Sequence, residues 1–284
     1  MPANKTCRMP INFNGTVIDQ MPPELVQVHR AVNYGDGLFE TIRVFNGQIP
    51  LFERHWQRLS KNCQILGLLF PADWNARFFL DAILKIAAAN ARVRLSVWRA
   101  PGGLYRPAED RANFLIEAAL LEQTCFEWHP KGITVGIANG LRLPMDSVAN
   151  CKTMNALRYV LAARQAGEQG WDDALLLNSS ERICEASSSN VFWWKDSVLH
   201  TIPLAEGCVA GVMRQFLLDL AASVGYVVQE KPATFAILEQ SDEIFLTNAI
   251  RGIVPIRNFA KKLKGSAKTH ILFQELVRQI CGVR

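Results

Sequence analysis

The sequence lacks several features that would define its class at once. It has no uninterrupted apolar run of the roughly 18 residues that a membrane span needs, and residues 1–15 hold no apolar signal segment. The net charge of +5, from 31 basic and 26 acidic residues, includes no dense basic patch. This balance argues against nucleic acid but suits a small anionic ligand. We therefore expect a soluble, cytoplasmic protein that binds neither membrane nor nucleic acid.

Disulfide and metal patterns are missing as well. The seven cysteines are an odd number and lie far apart, whereas disulfide frameworks and zinc knuckles need closely spaced pairs. The five histidines include no His-x-x-x-His pair. We expect mostly reduced, buried cysteines and no bound metal.

Common catalytic signatures are also absent. The chain has no GxxxxGK[ST] loop, no GxGxxG turn, no GxSxG elbow and no HExxH helix. These absences argue against ATP hydrolysis, a Rossmann cofactor site, serine-esterase chemistry and a zinc protease.

The residues that are present indicate a two-domain α/β (α+β) protein. The 284 residues are 49% hydrophobic, and at about 150 residues per domain they suit two domains. The dipeptides Asn14-Gly15 and Asn46-Gly47 predict tight turns between strands, and apolar spacing predicts a helix over 52–68. We place an N-terminal α/β domain at 1–122 and a C-terminal domain at 123–284.

The remaining elements follow from the same two periodicities. Helices are predicted over 75–90, 153–168, 212–224, 234–238 and at the C-terminus. Strands are predicted over 41–45, 48–51, 92–98, 113–118, 133–138, 174–177, 190–194, 198–201, 226–229, 243–247 and 254–259.

Lys152 is the first chemically suggestive residue. It follows the polar loop 139–150 and directly precedes the helix predicted over 153–168. The positive end of a helix dipole disfavours an ammonium group and should lower the lysine pKa. A lysine with a lowered pKa suits Schiff-base chemistry, although most lysines are solvated surface residues.

Several further groups would have a common explanation if they bind one anionic aromatic cofactor. Glu185 precedes a run of small residues and is a candidate partner for a protonated pyridine nitrogen. The segment 207–214 opens a predicted helix, whose free N–H groups bind anions. The segment 247–249 ends a predicted strand and offers a hydroxyl and a backbone N–H, and Arg58 offers a cation for a phosphate. Taken alone, Glu185 and Arg58 are better explained as ordinary surface charges, and the segment 207–214 is equally consistent with an ordinary helix start.

The sequence motifs and their order along the chain resemble those of the class IV, fold-type IV pyridoxal-phosphate enzymes. The family holds branched-chain and D-amino-acid transaminases and 4-amino-4-deoxychorismate lyase, and the match spans about residues 11–257. The segments that carry it are YGDGLFETIR from Tyr34, HWQRL from His55, KTMN from Lys152, Glu185 with NVFW from Asn190, GVMR from Gly211, and Thr247-Asn248-Ala249.

The resemblance implies a D-amino acid aminotransferase-like fold of two domains, with pyridoxal 5'-phosphate in the cleft between them, and a homodimer. It implies that Lys152 forms the Schiff base with the cofactor and later moves the substrate proton. The cofactor-binding residues that it implies are Arg58, Lys152, Glu185, Val209, Val212, Met213, Thr247, Asn248 and Ala249. Among these, Glu185 pairs with the pyridine nitrogen and Val209 packs on the ring, while Arg58 and the N–H groups of Val212, Met213 and Ala249 bind the phosphate.

Within the family, the sequence resembles the lyase branch more than the transaminases. Five positions after Lys152, where the transaminases usually place a tyrosine, the chain has Leu157. This favours cleavage of 4-amino-4-deoxychorismate to 4-aminobenzoate and pyruvate, a step of folate biosynthesis. A branched-chain or D-amino-acid transaminase that uses 2-oxoglutarate remains the alternative.

An anionic amino substrate needs cations, and β-strand alternation places Arg92 and Arg94 on one face. Strand arginines also serve simply to solvate sheet edges. The predicted substrate-binding residues are Tyr34, Glu40, Arg94, Arg99 and Tyr105.

Two alternatives from other classes stay open. One is a non-catalytic member of the fold, against which the intact Lys152, Glu185 and Arg58 argue. The other is an unrelated α/β binding domain with coincidental motifs, which would not take up pyridoxal phosphate.

Overall fold

The computed structural model describes residues 10–18 and 30–282. Cys7, His29 and residues 1–9 of the segment considered for a signal lie outside the described residues. The chain divides into two compact units, residues 1–124 with 152–154 and residues 125–151 with 155–284. The sequence places one boundary, between residues 122 and 123.

The first unit contains a five-stranded sheet with the order β2-β1-β5-β4-β3, and all its pairings are antiparallel. Its strands are β1 Ile11–Phe13, β2 Thr16–Ile18, β3 Gly37–Val44, β4 Ala91–Arg99 and β5 Ala112–Leu120. Its helices are α1 Arg30–Tyr34, α2 Phe52–Leu66 and α3 Ala76–Ile86.

Both predicted tight turns of this unit are confirmed. Asn14 and Gly15 have φ of 49° and 89°, and Asn46 and Gly47 have φ of 47° and 77°. Asparagine and glycine adopt this left-handed region at low cost, which suits a two-residue hairpin turn. The strand predicted over 48–51 is wrong, because the chain makes only one bridge after the turn, from Phe45 to Gln48, and then enters α2.

The second unit is built on one mixed sheet, whose described strands number nine. The main path is β11-β10-β9-β12-β13-β6-β7-β8, with β14 paired to β13. The strands are β6 Ile133–Leu143, β7 Asp173–Asn178, β8 Ile183–Ala186, β9 Asn190–Lys195, β10 Val198–Thr201, β11 Val228–Glu230, β12 Glu243–Asn248, β13 Gly252–Phe259 and β14 Lys262–Leu263. The helices are α4 Leu157–Glu168, α5 Val212–Ser223, α6 Phe235–Glu239 and α7 Ala267–Cys281, with a 3₁₀ turn at Leu204–Glu206.

Its central strands read as near-continuous apolar runs because both faces are covered. Trp193 on β9, Phe245 on β12 and Leu175 on β7 are fully buried. Parallel and central strands of an α/β sheet are expected to show this composition.

Several boundaries differ from the predictions, and some short elements were not predicted. The loop predicted from residue 139 begins later, because β6 continues to Leu143 across an irregularity in its pairing with β7. Strand β8 was not predicted. Helix α4 starts at Leu157 rather than at residue 153, because residues 152–154 pair with β3 of the first unit instead.

The expectation of reduced cysteines is wrong for one pair. Cys125 and Cys281 form a disulfide with Cα atoms 5.9 Å apart, joining residues 156 positions apart in the second unit. Cys63, Cys151, Cys184 and Cys208 are reduced and buried, as predicted. Within the described ranges no helix is long and apolar enough to cross a membrane. Those ranges also hold no cluster of three or more metal-ligating side chains.

Candidate active site

Lys152 is held in place by backbone pairing with β3. The Phe39 N–H donates to the Lys152 carbonyl at 2.9 Å, and the Met154 N–H donates to the Gly37 carbonyl at 2.9 Å. A Cβ at Gly37 would lie 2.6 Å from the Val97 carbonyl oxygen, so only glycine fits there. The predicted effect of a helix dipole on the pKa of Lys152 is wrong. Helix α4 begins five residues after Lys152, and a helix dipole acts only within the first turn of the helix.

The Phe39 ring brings two predicted site residues together. The Lys152 Nζ lies 4.4 Å from the ring centroid, and the Arg94 guanidinium carbon lies 3.9 Å from it. An aromatic ring attracts cations at this range. Arg94 also donates from Nε to the Ser96 hydroxyl at 3.2 Å, and burial lowers its pKa. The candidate catalytic amine and a candidate substrate cation therefore share one aromatic surface.

Arg58 is fixed by a buried carboxylate. Its Nε donates to Glu40 Oε1 at 2.8 Å, and its Nη2 donates to Glu40 Oε2. His55 Nδ1 lies 2.6 Å from the same Oε2. Burial alone would raise the pKa of Glu40, but Arg58 and His55 lower it to about 2. Glu40, predicted to contact substrate, thus has both oxygens engaged by side chains of α2 and orients the predicted phosphate-binding arginine.

Arg99, the other predicted substrate cation, is engaged by its own unit. It is 6% exposed, and its Nε donates to Asp36 Oδ2 at 3.0 Å and its Nη1 to Asp110. It also donates to the carbonyls of Leu66 and Gly67 at 2.6 and 3.2 Å. These bonds fix the end of β4. We therefore assign Arg99 a structural role and do not propose it as a substrate ligand.

The two predicted tyrosines meet beside that anchor. The rings of Tyr34 and Tyr105 lie 5.4 Å apart, and the Arg30 guanidinium lies 4.8 Å from the Tyr34 ring centroid. Tyr105 is 89% exposed. Arg30 donates to the Leu104 carbonyl at 2.5 Å, and this bond holds the backbone next to Tyr105 in place.

In the second unit, Glu185 lies on β8 and is 3% exposed. Tyr159 Oη donates to its Oε1 at 2.7 Å, and the Val209 N–H lies 3.2 Å from both carboxylate oxygens. Asn190 Nδ2 donates to Oε2 at 3.3 Å. A buried carboxylate held by neutral donors is suited to pair with a cationic nitrogen.

Asn190 links Glu185 to the start of α5. Its amide also donates to the Val209 carbonyl at 3.0 Å, and a Cβ at Gly211 would overlap its Oδ1. Helix α5 begins after Gly211, and no side chain caps it. The first N–H groups of the helix, at Val212 and Met213, thus have no intrahelical acceptor and suit a phosphate.

The segment 247–249 lies beside Asn190, because Thr247 is its partner in the register of β9 and β12. The Thr247 hydroxyl donates to the Gly252 carbonyl at 2.7 Å. Asn248 Oδ1 accepts from the N–H groups of Ile250 and Arg251. These bonds fix the turn, so its remaining group for a ligand is the Ala249 N–H.

Sequence reasoning missed three residues of these sites: Phe39, Asn190 and Tyr159. Phe39 and Asn190 lie inside the matched motifs but carry no charge that draws attention. Tyr159 lies outside the matched motifs. Helical spacing in α4 is the sequence signal that could have shown which way its side chain points.

Comparisons with known proteins show the family to which the chain belongs. The model of the family described as amino-transferase class IV matches residues 37–259. The chain is 30% identical to aminodeoxychorismate lyase of Vibrio harveyi, over 80% of this chain and 84% of the relative. It is 30% identical to a putative branched-chain-amino-acid aminotransferase of Methanocaldococcus jannaschii, over 87% of each chain. The crystal structure of 4-amino-4-deoxychorismate lyase from Pseudomonas aeruginosa is similar with a TM-score of 0.81 and 27% identity, covering 95% of this chain and 98% of that one.

The fold and the matched segments define a pyridoxal-phosphate enzyme of fold type IV. The chain belongs to the class IV aminotransferase family. The predicted family, the mixed α/β fold and the dependence on pyridoxal phosphate are confirmed.

Proposed function

We propose that the protein is a 4-amino-4-deoxychorismate lyase, which forms 4-aminobenzoate and pyruvate. The observation that carries the proposal is at the start of α4. Leu157, where transaminases of the family usually place a tyrosine, has no hydroxyl and is 69% exposed. The similarity to the lyases of Vibrio harveyi and Pseudomonas aeruginosa supports the same reading.

The residues present fit the cofactor. An uncapped helix start at Gly211 suits its phosphate, and the buried Glu185 suits its pyridine nitrogen. We propose that Lys152 bonds to its carbonyl carbon and that Arg58 and the N–H groups of Val212, Met213 and Ala249 bind its phosphate. Val209 packs on its ring, and Thr247 and Asn248 shape the turn before Ala249.

When bound, pyridoxal phosphate supplies an electron sink for carbanion chemistry. With the cofactor bound, the Lys152 amine would take the proton from the carbon that bears the substrate nitrogen. The C–O bond to the enolpyruvyl group on the neighbouring carbon then breaks, and its loss leaves an aromatic ring. The enolpyruvate gains a proton and becomes pyruvate, so no oxidant or second substrate is consumed.

Arg94 is the cation that we propose for a substrate carboxylate. This proposal is supported by the position of Arg94 near the same Phe39 ring as Lys152, the proposed proton acceptor. We propose that Tyr34 and Tyr105 border the substrate, and that Glu40 acts by orienting Arg58.

The experiment that tests the reaction measures products. Purified holoenzyme given 4-amino-4-deoxychorismate should release pyruvate and 4-aminobenzoate in equal amounts without a keto acid. Dependence on added 2-oxoglutarate, with no pyruvate release, would contradict the proposal.

A transaminase is the second candidate, favoured by the similarity to the putative branched-chain aminotransferase over 87% of the chain. Mixing the holoenzyme with L- and D-amino acids and no keto acid distinguishes the two. Rapid bleaching of the visible band by leucine, isoleucine or valine would establish the transaminase.

We further propose that the enzyme is a cytoplasmic homodimer that supplies 4-aminobenzoate for folate biosynthesis. Exposed apolar side chains on α4, at Val160 and Leu161, support a partner surface. Light scattering should give twice the 31.8 kDa chain mass. Expression in cells that lack their own lyase should restore growth without 4-aminobenzoate.

A further inference from the structure

Of the hydrogen bonds to Glu185 described above, the shortest comes from Tyr159, in the first turn of α4. The phenol donates to Oε1 at 2.7 Å, whereas the bonds from Val209 and Asn190 are 3.2 and 3.3 Å long. Burial, and then the Glu185 charge, raise the pKa of Tyr159 far above its usual range. Tyr159 therefore remains a protonated donor at any working pH.

The donors to Glu185 described above are not equivalent. The Val209 N–H belongs to the backbone and is shared between both oxygens at 3.2 Å. The Asn190 amide is shared with the Val209 carbonyl. Tyr159 donates to Oε1 and Asn190 to Oε2, and the Tyr159 bond is the shorter, so its removal would weaken the bonding that sets the rotation of the carboxylate.

We propose that Tyr159 is a positioning residue that orients the Glu185 carboxylate and spreads its negative charge. Through Glu185 it sets how completely the pyridine nitrogen of the cofactor holds its proton. This inference rests on the proposed function, in which Glu185 pairs with that nitrogen. Tyr159 would thus adjust the protonation of the pyridine nitrogen through its hydrogen bond to Glu185, without touching a reacting atom.

The mechanism follows from charge distribution. A neutral donor makes a carboxylate a weaker proton acceptor. Without the phenol, Glu185 binds a shared proton more tightly and draws it away from the pyridine nitrogen. The cofactor then becomes a poorer electron sink, while substrate binding is unaffected.

The test compares Tyr159→Phe with Tyr226→Phe, which removes a hydroxyl in the same unit from a ring packed on Trp194. Each holoenzyme is prepared with cofactor labelled with ¹⁵N in the pyridine ring. In Tyr159→Phe the nitrogen resonance should move towards the unprotonated position. Its kcat should fall roughly tenfold with KM unchanged, the size expected for one hydrogen bond to a charged group. Tyr226→Phe should match the wild type.

A second readout needs no cofactor. The chain has four tyrosines, so ¹³C labelling of their Cζ atoms gives few signals. Phenylalanine variants of Tyr34, Tyr105 and Tyr226 each remove one signal, and the remaining signal belongs to Tyr159. In the apoprotein, Glu185→Gln should move that signal, because the phenol loses its charged acceptor. An unmoved signal would overturn the inference even if Tyr159→Phe failed to fold.

The experiments distinguish failure of the inference from failure of the proposed function. If the wild type takes up the cofactor but Tyr159→Phe matches Tyr226→Phe in its nitrogen resonance, the inference is wrong and the proposed function stands. If the wild type takes up no cofactor, the proposed function and the inference are both wrong.

Discussion

The buried carboxylate of Glu40 should be a main electrostatic contributor to the stability of the first unit. It is 1% exposed and bound by Arg58 and His55. Its pKa is about 2 in the folded chain against an ordinary value of 4.5, and at about 1.4 kcal/mol per pKa unit the difference corresponds to about 3 kcal/mol. Removing one charge of a buried pair costs a similar amount, about 3–5 kcal/mol. We therefore expect Glu40→Gln to lower the free energy of unfolding by about 3 kcal/mol at pH 7.

The sign of the pH dependence follows from the lowered pKa. The stabilisation is complete above pH 4.5 and is lost as the pH falls through about 2. Urea unfolding of both proteins should therefore show a difference that shrinks between these values. Asp81→Asn is the control, because its ion pair with Arg77 is exposed on α3 and should be worth under about 0.5 kcal/mol. A loss below about 1 kcal/mol at pH 7, or a difference independent of pH, would refute the reasoning.

Three further variants test separate parts of the account. Arg94→Leu should raise KM for the anionic substrate roughly a hundredfold, since a bond between two charges is lost. Arg92→Leu, on the exposed part of the same strand, should change it little, and steady-state kinetics in which both variants behave alike would count against Arg94. Gly211→Ala should weaken cofactor binding to the apoenzyme, measured by fluorescence titration, because its Cβ overlaps Asn190 Oδ1; unchanged affinity would show that the start of α5 is not the phosphate site. Cys281→Ser should lower the free energy of unfolding by about 2–5 kcal/mol under oxidising conditions, because the disulfide closes a long loop. With reductant present the variant and the wild type should unfold alike, and a persistent difference would assign the loss to packing instead.

Local patterns were sufficient for most of the fold. The turn dipeptides, the apolar spacing of α2 and the apolar runs of the second sheet each predicted their element, because these signals depend on neighbouring residues. The start of α4 was predicted four residues too early. Residues 152–154 pair with β3, which lies more than a hundred positions earlier in the chain, and no local signal contains that pairing.

The candidate site shows the same division. The matched motifs predicted Lys152, Arg58 and Glu185 as site residues, which remain predictions, and a motif does not say what each side chain contacts. The sequence gives no sign that Asp36 and Asp110 engage Arg99, or that Glu40 serves Arg58. The Cys125–Cys281 disulfide was missed for the same reason, since spacing rules apply only to cysteines that are close in sequence.

The central claim is that Lys152 carries the cofactor. Reducing the holoenzyme with borohydride and mapping its peptides by mass spectrometry tests this most directly, because reduction fixes the cofactor on the lysine that holds it. The account predicts one phosphopyridoxyl group, on the peptide that contains Lys152, and none in Lys152→Ala. A label on another lysine, or an unlabelled protein after incubation with pyridoxal phosphate, would contradict it.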